Sequence, residues 1–206
     1  MIDDMSYHAE AWYDILNNDL GGNFSYQEVK NNMYGKNGEL LERMFGAGHF
    51  TDDDIARISI EKERRYQAAY MPKLSLLPGL AKFLEKAHQK GILMAIGSAA
   101  IPFNIDFVLD NLNIRHYFSA IVSANDVKIS KPHPETFLKA SELLKVSPSD
   151  CIVFEDVPKG TEAAANAGMK AVVLTTTHEQ HEFDYLQNVL CFAKDFEDDA
   201  VQQLLD

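Results

Sequence analysis

Basic residues are scarce in this chain. Lys and Arg number 19 against 31 Asp and Glu, a formal net charge of -12 over 206 residues. A surface of that sign repels nucleic-acid phosphates and anionic lipid head groups, which argues against both nucleic acid and membrane as general partners. An anionic small molecule would need a local island of positive charge. Cysteine is nearly absent as well. Cys151 and Cys191 each sit beside apolar neighbours, a pattern of neither a disulfide framework nor a zinc cluster, and they read as buried free thiols in a reducing compartment. No run approaches the ~18 apolar residues of a membrane span. The start, Met1-Ile-Asp-Asp-Met, lacks the basic residues and apolar stretch of a secretion signal, so a cytoplasmic protein is expected. Internal repeats and low-complexity segments are missing too. Nothing in the sequence sets an oligomeric state. What is present is an ordinary globular composition, 46% hydrophobic, long enough for a real core and a sizeable insertion.

The chain falls into two zones. From about Met5 to Tyr70 the pattern is helical. Ala9, Trp12, Tyr13, Leu16 and Leu20 recur at helical spacing, and Gly21-Gly22 stops that helix. Ser25 with Glu28 forms a capping box, and Thr51 before Asp52-Asp53-Asp54 reads as an N-cap with dipole-compensating acids. From Leu76 onward, short apolar runs alternate with amphipathic helices. Strands are expected at Ile92–Ile96, Ala120–Ser123, Cys151–Phe154 and Ala171–Leu174, with a weak fifth at Val189–Phe192. Regular β-α alternation with continuous apolar strands predicts an α/β, Rossmann-like parallel sheet covered on both faces.

Ligands of open parallel sheets sit at the carboxyl ends of the strands. The first strand is followed by Gly97-Ser98-Ala99, the second by a loop leading to Ser130-Lys131-Pro132-His133-Pro134, the third by Glu155-Asp156. Each alone has a plain reading: Ser98 as a helix cap, Lys131 as a solvated lysine, the acids as first-turn helix residues. Together they supply a hydroxyl with close N–H groups, a cation, and adjacent carboxylates. Phosphoryl transfer needs these parts around phosphoryl oxygens and Mg²⁺.

Here the sequence resembles the haloacid-dehalogenase-like superfamily, and within it the β-phosphoglucomutase-like phosphatases and mutases. Tyr7-His8-x-x-Ala11-Trp12 looks like the start of that subfamily's cap, and Leu77-Pro78-Gly79 like the return to the core. Gly97-Ser98-Ala99, Ser130-Lys131-Pro132-x-Pro134 and Phe154-Glu155-Asp156-x-x-x-Gly160 match the second, third and fourth motifs. The resemblance implies a helical cap over 5–75 inserted near the N-terminus of a core formed by 1–4 and 76–206. It implies that Ser98, with Ala99, binds the phosphoryl group, that Lys131 neutralises it, and that Glu155 and Asp156 hold Mg²⁺. His8 is a secondary cap candidate, with a packed histidine as the alternative.

Two departures stand out. The family's first motif, an Asp-x-Asp ending the first core strand, has no match. By the Tyr7-His8 alignment it would lie just before Met1, and Asp3 and Asp4 look like residues that follow it. The expectation is therefore a core whose first strand is absent. That leaves a gap of roughly 10 Å between its neighbours. Either Met1 is internal to a longer protein, or the chain is a shortened relative that binds phosphate and Mg²⁺ without catalysis. The second departure is in the cap loop Tyr34-Gly35-Lys36-Asn37-Gly38, where Gly38 takes the place of the mutases' arginine. Lys36 could substitute for it or be merely solvated. The leading expectation is a Mg²⁺-dependent hydrolase of small phosphorylated metabolites, with a sugar-phosphate mutase as the alternative.

Overall fold

The computed structural model describes all 206 residues. The chain divides into two compact units. One comprises Asp4–Leu74 and Phe103–Val108, the other Met1–Asp3, Ser75–Pro102 and Leu109–Asp206.

The first unit is helical. It contains α1 (Met5–Asp14), which continues as one π-helical turn over Ile15–Asp19, then α2 (Tyr26–Asn32), α3 (Asn37–Phe45) and α4 (Asp52–Tyr70). Ser25 caps α2 through the Glu28 N–H, and Glu28 answers through the Ser25 N–H at 2.7 Å. Thr51 and Asp54 make the same reciprocal pair at the head of α4. Trp12, Ile15, Leu16, Val29, Leu40, Leu41 and Ile58 form the buried centre. Each such side chain contributes about 1.5–3 kcal/mol by leaving water. Tyr13 departs from the expected buried face. It is 40% exposed and meets Tyr26 edge-on at 5.8 Å. Its offset from Trp12 turns it to the side of the stripe.

The second unit alternates. It runs α5 (Leu80–Gln89), β1 (Ala95–Gly97), α6 (Pro102–Asn111), β2 (Ala120–Val122), α7 (Glu135–Leu144), β3 (Ile152–Glu155), α8 (Pro158–Asn166), β4 (Lys170–Leu174), β5 (Val189–Ala193) and α9 (Asp199–Gln202). The beginning of α6 is grouped with the helical unit. All strand pairs are parallel, but they form two sheets, β1-β2 and β3-β4-β5, where one sheet was expected. No backbone ladder joins β1 to β3.

The first strand also begins late. Ile92 N–H still donates to Ala87 O and closes α5, so the extended backbone starts only at Ala95 and leaves Ile92 and Leu93 exposed. β4 is buried from Ala171 to Leu174. The small residues of α8 let it lie close to the sheet: Ala163 and Ala164 pack with Val153, Ala171 and Phe137. Cys151 and Cys191 are free but only half-buried, not fully buried as expected. No helix is long and apolar enough to cross a membrane.

Gly79 precedes α5 at φ +75°, and a Cβ there would lie 2.6 Å from the Phe196 carbonyl carbon. A left-handed backbone costs an L-residue roughly 1–2 kcal/mol, and overpacking adds about 1–3. Gly79→Ala is therefore expected to lower unfolding free energy by at least ~2 kcal/mol in a denaturant titration.

Candidate functional site

Lys131 is the junction of the candidate site. It follows β2 by a long loop and is positioned just before α7. Its Nζ donates to Gly97 O at the end of β1 (3.1 Å) and to Glu155 Oε1 at the end of β3 (2.5 Å), and it lies 4.6 Å from the Phe137 ring centroid. The lysine and glutamate side chains are 13% and 10% exposed. The ammonium thus ties the carboxyl end of one sheet to that of the other. Removing one member of such a pair costs about 3–5 kcal/mol, because the charge left behind is buried and uncompensated.

Glu155 has both oxygens engaged. Oε1 takes the Lys131 proton and Oε2 accepts from Asp156 N–H at 3.3 Å. Gly160 makes room for it, since a Cβ at that position would sit 2.2 Å from the Glu155 carboxyl carbon.

Asp156 follows β3 directly. The register that sets Glu155 opposite Val173 brings Asp156 beside the end of β4. There Thr176 Oγ1 donates to Asp156 Oδ2 at 3.2 Å. Thr177 Oγ1 lies 2.8 Å from Asp156 O and 3.2 Å from Oδ2. Burial and the neighbouring Glu155 charge raise the Asp156 pKa above the usual carboxylate value, against the pull of the chain's N-terminal ammonium and of the two hydroxyls. These threonines were missed in the sequence. The strand-end rule that picked out Ser98, Lys131 and Glu155-Asp156 also applies to β4, and Thr175-Thr176-Thr177 follows it directly.

Ser98 lies on the loop after β1, next to the carbonyl that Lys131 holds. Its N–H donates to Val122 O at 2.9 Å, and its Oγ accepts from Ala100 N–H at 3.1 Å. In this structure its hydroxyl therefore serves its own loop. Ala99 is exposed on the same loop. The other two candidates belong to the helical unit. Lys36 precedes α3 and takes Glu39 Oε2 on its N–H at 2.9 Å.

His8 sits in a buried polar cluster that sequence reasoning missed. Lys62 Nζ is 2.8 Å from His8 Nδ1 and 2.9 Å from Glu63 Oε1. With the lysine as donor, His8 carries its proton on Nε2, 3.3 Å from Asp4 Oδ2. Tyr66 OH donates to that same oxygen at 2.5 Å and its ring stacks on His8 at 3.8 Å. Burial works to raise the Asp4 pKa, but the bonds from His8 and Tyr66 outweigh it and hold it low. Burial lowers the Lys62 pKa against the attraction of Glu63. Adjacent charges inside a helix that is otherwise surface-like gave no periodic signal for this cluster.

Chemically, the second unit offers two hard carboxylates side by side, one tied to an ammonium and one held by neutral hydroxyls. No third His, Cys, Asp or Glu gathers with them into a closed metal cage. Such a pair suits a hard divalent cation that keeps several waters and takes the rest of its shell from phosphate oxygens.

The family model for haloacid dehalogenase-like hydrolases matches residues 1–174. This chain belongs to that family. Among its relatives, the fructose-1-phosphate phosphatase YqaB of Escherichia coli is 31% identical over 175 residues, covering 84% of this chain and 89% of the relative. Hexitol phosphatase B of the same organism is 31% identical over 107 residues, 52% of this chain and 48% of that one. A family IA, variant 3 hydrolase from Entamoeba histolytica superposes with a TM-score of 0.84 at 24% identity, covering 100% of this chain and 95% of that one. A β-phosphoglucomutase from Clostridium difficile gives 0.79 at 25% identity, covering 98% and 87%. The family model and the sequence relatives place this chain with the phosphohydrolases of the family, and the solved structures show the same fold in β-phosphoglucomutase-like neighbours.

The raised Asp156 pKa makes stability pH-dependent. At pH below the ordinary carboxylate range, folded and unfolded states both hold the proton and no cost arises. As pH rises from the ordinary carboxylate value through the raised one, the unfolded state ionises freely while the folded state must ionise a buried group beside Glu155, and the cost is complete above the raised value. Asp156→Asn is therefore expected to raise the Tm at pH 7 in metal-free buffer, with the gain shrinking toward zero as pH falls into the acid range. Thermal denaturation over a pH series measures it. A gain that does not shrink with acid would show another origin.

Proposed function

We propose that this chain carries the phosphate- and Mg²⁺-holding parts of a hydrolase that acts on small phosphorylated metabolites, sugar phosphates foremost. The observation that carries the reading is Lys131, an ammonium at the joint carboxyl ends of two parallel sheets with two carboxylates beside it. In a strongly acidic protein this is the local positive charge that an anionic substrate requires. The names of the relatives, phosphatases of fructose 1-phosphate and of hexitols, support the same substrate class.

In this reading Lys131 neutralises the phosphoryl oxygens and orients the acidic group that attacks. The Ser98 hydroxyl, released from Ala100 N–H, and the neighbouring loop N–H groups donate to the same oxygens. Asp156, with Glu155 behind it, would hold Mg²⁺, which supplies charge neutralisation to the phosphoryl group when bound. His8 and Lys36 are the cap's candidates for the rest of the substrate. The domain division of 5–75 against 1–4 and 76–206 belongs to the same proposal.

The attacking carboxylate is not one of the residues gathered around Lys131. Asp4 is taken by Tyr66 and His8, and Asp3 is exposed. We assign the attack to an aspartate on a further parallel strand between β1 and β3, whose facing sides have no ladder between them. Gly97 of β1 lies against Phe137 of α7, and Phe137 shares a buried cluster with Val153 of β3. Gly38 fits beneath Ile55, where a Cβ would lie 3.2 Å from Ile55 Cγ2, and carries no charge for a second phosphate. This favours hydrolase over mutase.

Two measurements test the proposal. The chain is expected to bind inorganic phosphate, and Lys131→Ala combined with Glu155→Gln, which leaves no uncompensated charge, should weaken it by about 10- to 100-fold. That is the share of one charged hydrogen bond, about 1.5–3 kcal/mol. A chain extended before Met1 by an apolar strand ending in Asp-x-Asp should release phosphate from a generic aryl phosphate in Mg²⁺. Absence of turnover in that extended chain, with phosphate still bound, would replace the hydrolase reading with a non-catalytic binding module.

A further inference from the structure

Asp156 and Glu155 are adjacent in sequence but differ in what remains for a ligand. Both oxygens of Glu155 are engaged, by Lys131 Nζ and by Asp156 N–H. On Asp156 the two nearby hydroxyls converge on one oxygen, Oδ2. Thr177 has one proton for two acceptors, and the shorter contact, 2.8 Å, goes to the Asp156 carbonyl. Thr177 therefore fixes the backbone at the turn out of β3, and Thr176 is the standing donor to Oδ2. The carboxylate plane is held from one side, and Oδ1 is the oxygen left to meet a cation.

We infer that Thr176 and Thr177 are specificity-determining residues that hold Asp156 as a one-oxygen ligand and so bias the site toward Mg²⁺ over Ca²⁺. The inference rests on the metal role proposed for Asp156. Mg²⁺ requires near-octahedral geometry at short distances and takes carboxylates through a single oxygen. Ca²⁺ accepts six to eight oxygens and readily takes a carboxylate through both. Bidentate capture at Asp156 would crowd a cation onto Oδ2 beside its hydroxyl donor and weaken that bond, a cost that falls on Ca²⁺ alone. The hydroxyls also favour the ionised, oriented carboxylate that either cation needs. Outer partners of this kind usually affect metal affinity by about 10- to 100-fold.

The experiment is calorimetric titration of Mg²⁺ and, separately, Ca²⁺ into the full chain in phosphate-free buffer. It compares the unaltered protein, Thr176→Val/Thr177→Val, and Thr176→Ser/Thr177→Ser. Valine keeps the shape and loses the hydroxyl; serine keeps the hydroxyl. The valine variant is expected to lose about tenfold or more in Mg²⁺ affinity, with a smaller loss for Ca²⁺, so that the Mg²⁺/Ca²⁺ preference falls. The serine variant should keep the original preference. A general structural weakening would lower both affinities together and leave their ratio unchanged. An unchanged ratio in the valine variant, or a serine variant that behaves like valine, overturns the inference. Thr176→Val alone removes the standing donor to Oδ2 and gives the same comparison if the double variant does not fold. Asp156→Ala separates the two levels of the argument. If Mg²⁺ binding is absent from the unaltered protein or survives Asp156→Ala, the metal reading itself falls and this inference with it. If Mg²⁺ binding depends on Asp156 but the valine ratio is unchanged, only the threonine role falls.

Discussion

The α/β unit depends on one ammonium. β1 and β2 form one sheet and β3, β4 and β5 another, and no ladder of backbone hydrogen bonds crosses from β1 to β3. Lys131 crosses instead, from Gly97 O to Glu155 Oε1. A lysine can do this because its stem reaches along Phe137 while its head finds two acceptors, with the ring face adding cation–π attraction. The arrangement ties stability to chemistry. The group that holds the strand ends together is also the one whose charge an anionic ligand would share. In the role proposed for it, the ammonium would divide its protons between Glu155 and a phosphoryl group.

The helical unit solves a different electrostatic problem. Lys62 and Glu63 are adjacent in α4 and both are buried, which is expensive unless every charge is answered. Glu63 Oε1 and His8 Nδ1 answer the lysine, and Asp4, held low in pKa, faces the other edge of the same imidazole. Tyr66 stacks on that ring and donates to the same Asp4 oxygen. The chain from Lys62 through His8 to Asp4 is thus oriented in one direction, with the histidine proton placed by its neighbours on either side. It fixes where α1 begins relative to α4. A helix start with no side-chain cap of its own at Asp4 takes its definition from that contact.

What could be read in the sequence follows from how local each signal is. The capping box at Ser25 and the N-cap at Thr51 need only a few residues, and the structure bears them out at those positions. The alternation of helices and apolar strands was equally plain, because buried strands leave continuous apolar runs. Strand limits were less plain. Ile92 and Leu93 look like strand by composition, yet Ile92 N–H is already committed to closing α5. The polar contacts over long separations were the least legible. Lys62 to His8 spans 54 residues and Thr176 to Asp156 spans 20, and neither pair leaves a periodic trace. The threonines could have been found by applying the strand-end rule once more. Lys62 could not, since a lysine flanked by glutamates in a long helix is indistinguishable from a solvated one until the fold encloses it.

The two adjacent carboxylates show how a site of this kind divides its labour. Two like charges in neighbouring residues, partly removed from water, repel each other, and the protein relieves the two differently. Glu155 receives a full charge and becomes part of the scaffold. Asp156 is oriented by neutral hydroxyls, and although the N-terminal ammonium also pulls its pKa down, that pKa stays raised. A carboxylate that is oriented but not neutralised is destabilising in the empty protein, and it favours a divalent cation for the same reason. If Asp156 also had a lysine, the fold would be more stable and the affinity for a metal lower. The opposed treatment of these neighbours agrees with the metal role proposed for Asp156, whereas stability alone would have been served by pairing both.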